Sequence, residues 1–142
     1  MKPAPNKRLD EQDHRLLAVW AADCAEHVLP YFEEKYPKDD RPRKAIEAAR
    51  AWTRGEIRVS EARTAALAAH AAAREADDAA ARAAARAAGH AAATAHVGTH
   101  ARGAASYAVK ASAASGATRE AGWQHRRLPQ HLRPLAFPVR EP

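Results

Sequence analysis

From Asp10 onward the apolar positions step by three and four: Leu16, Trp20, Cys24, His27 or Val28, then Tyr31. That spacing is the buried face of an amphipathic helix, and Asp10 or Asp13 can cap its start. Pro30 predicts a kink or an end there, with Tyr31 to Tyr36 as a last turn or a short second piece. Pro37-Lys38-Asp39-Asp40-Arg41-Pro42 reads as a turn followed by a helix start, with Asp40 as the cap and Pro42 in the first turn. That helix runs to about Arg54, and Gly55 ends it. Ser60 is positioned to cap the next helix, which passes through Leu67 and His70 to about Ala76. Asp77-Asp78 marks either a pause with a new cap or a continuation.

Beyond Asp78 the pattern loses its large apolar members. Between Leu67 and Val97 every apolar side chain is alanine, the residue with the strongest helix propensity. The stretch to His96 is therefore helical on local grounds. It has no leucines to pack with, so it is either exposed or pressed against a neighbour through alanine faces, where helix axes approach to about 8 Å. Gly89, Gly98 and Gly103 permit such approach or mark breaks. Residues 99 to 115 form another helix ended by Gly116. Trp123 and Leu128 anchor a short helix, and Pro129, Pro134, Pro138 and Pro142 make the rest turn-like or extended. No strand-like alternation occurs. The expectation is an all-α fold, one small bundle of about five to six helices with Ala-rich central helices. Residues 1–9 would be a flexible tail, 10–128 the helical domain and 129–142 a Pro-rich tail.

Composition limits what such a chain can be. Of 142 residues 40 are alanine, and only 25 are Leu, Ile, Val, Met, Phe, Tyr or Trp. Each large side chain buried contributes roughly 1.5–3 kcal/mol, so this set supports one small core and excludes a two-domain enzyme. No apolar run approaches the roughly 20 residues of a membrane span, and the basic start runs into Asp10, Glu11 and Asp13 rather than a signal-peptide core. A single cysteine, Cys24, excludes an internal disulfide. A cytoplasmic protein is expected. The net charge of +6 is unevenly spread. Residues 79–115 hold no acid but carry Arg82, Arg86, Arg102 and Lys110, a positive section open to an acidic protein, an anionic small molecule or nucleic acid. Without interleaved aromatic or Gly-rich recognition motifs, nucleic acid is the weakest of these.

Chemistry has few candidates. His96 and His100 lie four apart, and on a continuous helix they share a face with Gly103, Tyr107 and Lys110. With His70 they outline a pocket, His70, His96, His100 and Tyr107, in which small neighbours leave room for a ligand. Cys24 and His27 could join His96 and His100 in a Cys-His-His-His tetrahedron, but the spacing is no metal motif, and no metal or cofactor is expected. His70, Arg74 and Asp78 make a polar stripe, most simply a solvated helix face. Cys24 as a nucleophile is weaker still, being a lone thiol on a core face. No phosphate-binding loop, nucleophile elbow or paired-Cys motif occurs. The segment Asp39 to Trp52 is the most distinctive. Its bland reading is a capped helix laddered by Arg43, Glu47, Arg50 and Arg54. Its sharper reading is an adhesive patch of Asp39, Asp40, Arg41, Arg43, Glu47 and Trp52, since Arg and Trp are enriched in interface hot spots.

Several segments together carry a resemblance. They are Cys24-Ala25-Glu26-His27-Val28-Leu29-Pro30, the Asp39–Trp52 segment, the Ala-rich run holding His70, Ala88-Gly89-His90-Ala91-Ala92-Ala93-Thr94-Ala95-His96-Val97, and Trp123-Gln124 with Leu128-Pro129. Over roughly residues 16 to 133 the chain resembles a bacterial family of immunity proteins. The resemblance implies a small helical, cytoplasmic, non-enzymatic protein that binds a cognate toxin of a polymorphic toxin system and neutralises it by stoichiometric occlusion. It supplies no catalytic motif. Immunity proteins often bind through an acidic face, whereas this chain is basic. The rival reading is a small-molecule or metal-binding protein, an enzyme or self-resistance factor, using the histidine pocket. Whether the Ala-rich helices pack within one chain or in a homodimer stays open at this level.

Overall fold

The computed structural model describes residues 9–117 and 119–137. The expected tail through residue 8 and the chain end from Pro138 to Pro142 lie outside the described residues. Among these described residues, seven α-helices and one 3-10 turn follow in order: α1 (Glu11–Glu33), α2 (Arg41–Thr53), α3 (Val59–Glu75), α4 (Ala79–Ala93), α5 (His100–Ala114), α6 (Glu120–Arg127), a 3-10 turn (Gln130–Leu132) and α7 (Arg133–Ala136). The all-α bundle is as expected, with two short C-terminal pieces beyond the five long helices. No strand occurs among the described residues, and none of their helices is long and apolar enough to cross a membrane.

Most helix ends follow from local chemistry. Asp10 Oδ1 accepts from the Asp13 amide at 2.8 Å and starts α1. Asp78 Oδ2 accepts from the Ala81 amide at 2.9 Å, so Asp77-Asp78 is a break and a new cap between α3 and α4. Gly55 and Gly116, with φ of 72° and 93°, take the left-handed conformation that closes α2 and α5 cheaply.

Four local expectations change. Pro30 does not end α1, which runs on to Glu33; Pro30 sits on the solvent side, where the carbonyl it leaves unbonded is beside water. Asp40 occupies the cap position of α2 but makes no capping bond; Asp39 Oδ1 accepts from the Arg41 amide at 3.1 Å instead. Ser60 lies inside α3, and Glu61 reaches back to the Arg58 amide at 3.3 Å. The ladder along α2 does not form. Arg43 turns to Glu33, Arg50 to Asp23 and Glu26, and Arg54 to Glu56, because carboxylates on α1 and in the following turn meet the guanidiniums more directly than Glu47 does.

The centre of the bundle is α4, in contact with α1, α2, α3 and α5. Ala81, Ala83, Ala84, Ala85, Ala87, Ala88, Gly89, Ala91 and Ala92 are all buried. A helix with four neighbours at short range has room only for methyl groups, which explains the missing leucines. Arg82, Arg86 and His90, spaced four apart, are its one polar stripe. The large core side chains come from elsewhere: Leu17, Trp20, Val28, Leu29 and Phe32 of α1, Ile46 of α2, and Leu128 and Leu132 near the C-terminus. Leu132 and Ala136 are buried, so the packed body extends past residue 128. The Ala-rich helices pack within one chain.

Candidate functional site

The α3–α4–α5 side carries a row of imidazoles. His70 of α3 meets His90 of α4 edge-on, with ring centroids 5.1 Å apart. His90 lies 5.3 Å from His100 of α5, and its Nδ1 is 3.1 Å from His100 Nδ1. His90 also stacks on Tyr107 at 5.3 Å and 17°, and Lys110 Nζ lies 4.7 Å over the Tyr107 ring. At the other end Arg86 Nη1 donates to His70 Nδ1 at 2.8 Å.

Two glycines make this row possible. A Cβ on Gly89 would fall 2.7 Å from His70 Nε2, and one on Gly103 would fall 2.6 Å from His90 Nδ1. Each imidazole therefore lies flat on a neighbouring helix where a side chain is missing. Burial, with Arg86 and the neighbouring rings, pushes the pKa of His70 down and that of His90 down to about 4; burial and His96 lower that of His100. Each shift disfavours the charged form of its ring.

The structure brings His70, His100 and Tyr107 together as expected, but it places His90 where His96 was expected. Turns follow α4 from Thr94, so His96 and His100 do not share a helix, and His96 is exposed. Within these turns, a Cβ on Gly98 would meet Leu9 Cδ1 at 2.6 Å. The Cys-His-His-His tetrahedron does not form. His27 pairs with Glu120, Cys24 is buried, and His100 faces His90. No three His, Cys, Asp or Glu side chains among the described residues are arranged to hold a metal ion. Asp78 is occupied in capping α4, so the stripe from His70 ends at Arg74.

The Asp39–Trp52 residues do not form one patch. Arg41 is clamped between Asp39, at 2.6 Å, and Glu75 of α3, at 3.0 Å, and these partners hold its pKa up and those of both carboxyls down. Arg43 grips Glu33 of α1 at 2.6 Å, and Lys44 reaches Asp40 at 3.2 Å. Glu47 is exposed. Trp52, at the other end of α2, is half-buried with its ring 4.7 Å from that of His14. Tyr36 to Arg41 line an open concavity beside the clamp.

A third cluster was not expected from the sequence. His27 stacks on Trp123 at 3.8 Å and 12° while its Nδ1 meets the buried Glu120 at 2.7 Å. Arg127 covers the Trp123 ring at 4.8 Å and reaches Asp23 at 3.3 Å. Asp23, Glu26, His27, Trp123 and Arg127 line an open cleft of about 340 Å³. Beneath it, Ser112 and Gln124 also donate to Glu120, and Gln124 Oε1 is buried without a partner among the described residues. Glu120 lies 93 residues from His27, so no local spacing could reveal the pair. Trp123 on a short helix was the one visible hint.

In comparison with known proteins, residues 7–131 match the family described as Imm-5 like putative immunity protein. No curated protein and no solved structure matches the chain. The match spans most of the chain, and the chain belongs to that family.

Proposed function

We propose, from this family membership, that the chain is a non-enzymatic binding protein that captures a cognate bacterial toxin in the cytoplasm and neutralises it by stoichiometric occlusion. The family match over residues 7–131 carries the reading. The contact surface we assign runs along α2 in two separate parts, with Asp39, Asp40, Arg41 and Arg43 at its start, Glu47 between, and Trp52 at its far end. In its favour, the ion pairs of Arg41 with Asp39 and Glu75 and of Arg43 with Glu33 pre-order long side chains before a partner arrives, which lowers the entropy lost on binding.

The test is to isolate the complex from native-source cells, identify the co-purifying protein and reconstitute it from purified components. A 1:1 complex in which the partner loses its toxic activity is the expected result. Replacing both Arg43 and Trp52 by alanine should weaken that complex at least tenfold, about 1.4 kcal/mol, with the helical circular dichroism unchanged. A partner that stays toxic in the complex refutes the function, and unchanged affinity refutes the surface. A second reading, a small-molecule ligand held at His70, His90, His100 and Tyr107, is favoured by the juxtaposition of those rings. Native mass spectrometry of the purified protein would show the added mass.

A further inference from the structure

The described ion pairs are unevenly distributed. Arg15, Arg41, Arg43, Lys44, Arg50, Arg54 and Arg127 all have a carboxylate within reach, and all lie on α1, α2, α6 or the turn after α2. Arg74 of α3, Arg86 of α4 and Lys110 of α5 have none among the described residues, and the same is true of Arg119 and Arg126 of α6. Arg86 is the telling one, because a half-buried guanidinium normally takes a carboxylate partner. Here its described side-chain contact is a neutral imidazole.

We propose that the α3–α4–α5 face centred on Arg86, His90 and His100 is a second docking surface, which takes the carboxylates of an acidic segment of the protein partner. The inference rests on the reading that the chain captures a protein. It adds the chemistry of that protein: acidic side chains presented to a basic face. A cation would be repelled by Arg86, Arg74 and Lys110, and the face lacks the three-ligand cluster a metal requires. A second copy of this chain fits poorly, since the acids of α1 and α2 are largely engaged with their own arginines.

Proton bookkeeping sharpens the expectation. His90 and His100 approach Nδ1 to Nδ1 at 3.1 Å, so one ring donates and the other accepts. The donor ring then has a bare Nε2, and neither Nε2 has a hydrogen-bond partner among the described residues. A docking carboxylate offsets the burial, and the repulsion from His70, Arg86 and His96, that disfavour the charged form of these rings, so a proton is taken up with the acid. Affinity must therefore rise as pH falls, by up to tenfold per unit for one linked proton.

Octaglutamate serves as the probe, with the imidazole signals of the folded protein followed by NMR. It should shift the signals of His70, His90 and His100 and leave those of His14, His27 and His131 in place. Binding should be at least several-fold tighter at about pH 5.5 than at about pH 8. Arg86→Gln, which keeps hydrogen bonding and loses the charge, should weaken it about tenfold, with an unchanged circular dichroism spectrum. Any of three results overturns the proposal: no shift in the row, equal affinity at both pH values, or the same shifts from inorganic phosphate or a single-stranded octanucleotide at equal or lower concentration. Failure here leaves the toxin reading intact, since the reconstituted complex tests that reading without the peptide.

Discussion

Gly103→Ala is the sharpest test of how the imidazole row is built. In the interior of a helix, replacing glycine by alanine ordinarily stabilises by about 0.8–1.0 kcal/mol. At Gly103 the new methyl group would stand 2.6 Å from His90 Nδ1 and 2.8 Å from His90 Cγ. Because Cγ is the root of the ring, a flip about χ2 does not relieve the contact. The whole side chain must leave its stack on Tyr107 and its approach to His100. Overpacking of this kind costs about 1–3 kcal/mol. The net effect in the wild-type background is therefore a destabilisation of up to about 2 kcal/mol. In a His90→Ala background the obstacle is gone, and the same substitution should stabilise by about 1 kcal/mol. The two differ by a coupling of about 1–3 kcal/mol, readable as a change in the urea midpoint at constant slope. If Gly103→Ala stabilises equally in both backgrounds, His90 does not lie on Gly103 and the row is wrongly drawn.

Two further predictions concern pH and the thiol. The folded-state pKa of His90 is lowered to about 4 from 6.5, so protons favour the unfolded chain. The stability this ring contributes is complete above about pH 6.5 and is lost as pH falls toward about 4. The ceiling is about 3 kcal/mol, and screening at a half-exposed ring brings it to about 1–2 kcal/mol. Urea titrations across that window should show a shallower loss for His90→Ala than for wild type, and identical slopes would contradict the assignment. Cys24 is fully buried, and burial, with Glu120 and Asp23, raises its thiol pKa. A thiol reagent near pH 8 should label the protein at the rate of opening; labelling as fast as in an unfolded peptide would refute the packing of α1.

The fold was largely legible because local chemistry decides it. Asp10, Asp78, Gly55 and Gly116 announce helix ends, and the alanine run announces close packing. Pro30 does not end its helix because its effect depends on which side of the helix it occupies, which only the neighbours decide. The site was half legible. His70, His100 and Tyr107 came from composition and spacing. His90 is not legible from spacing, because the four-residue step from His96 to His100 points to a continuous helix, whereas α4 ends at Ala93 and α5 starts at His100. One signal was available: glycine inside an alanine helix gives up helix propensity, so Gly89 and Gly103 mark places where something presses on the backbone. The long-range pairs, His27 with Glu120 and Arg41 with Glu75, have no local signature at all.

The methyl-lined interior of α4 has a consequence for how such a protein can diversify. Alanine has no rotamers to freeze, so ordering this core costs no side-chain entropy. It also has no slack. Nearly every substitution there adds volume to a space already closed by four helices. Change is driven outward, onto the ends and solvent faces of α1, α2, α3 and α5, where side chains can be exchanged without moving a backbone. A rigid shaft inside a freely rewritable skin would let a lineage follow a changing antagonist while its scaffold stays the same.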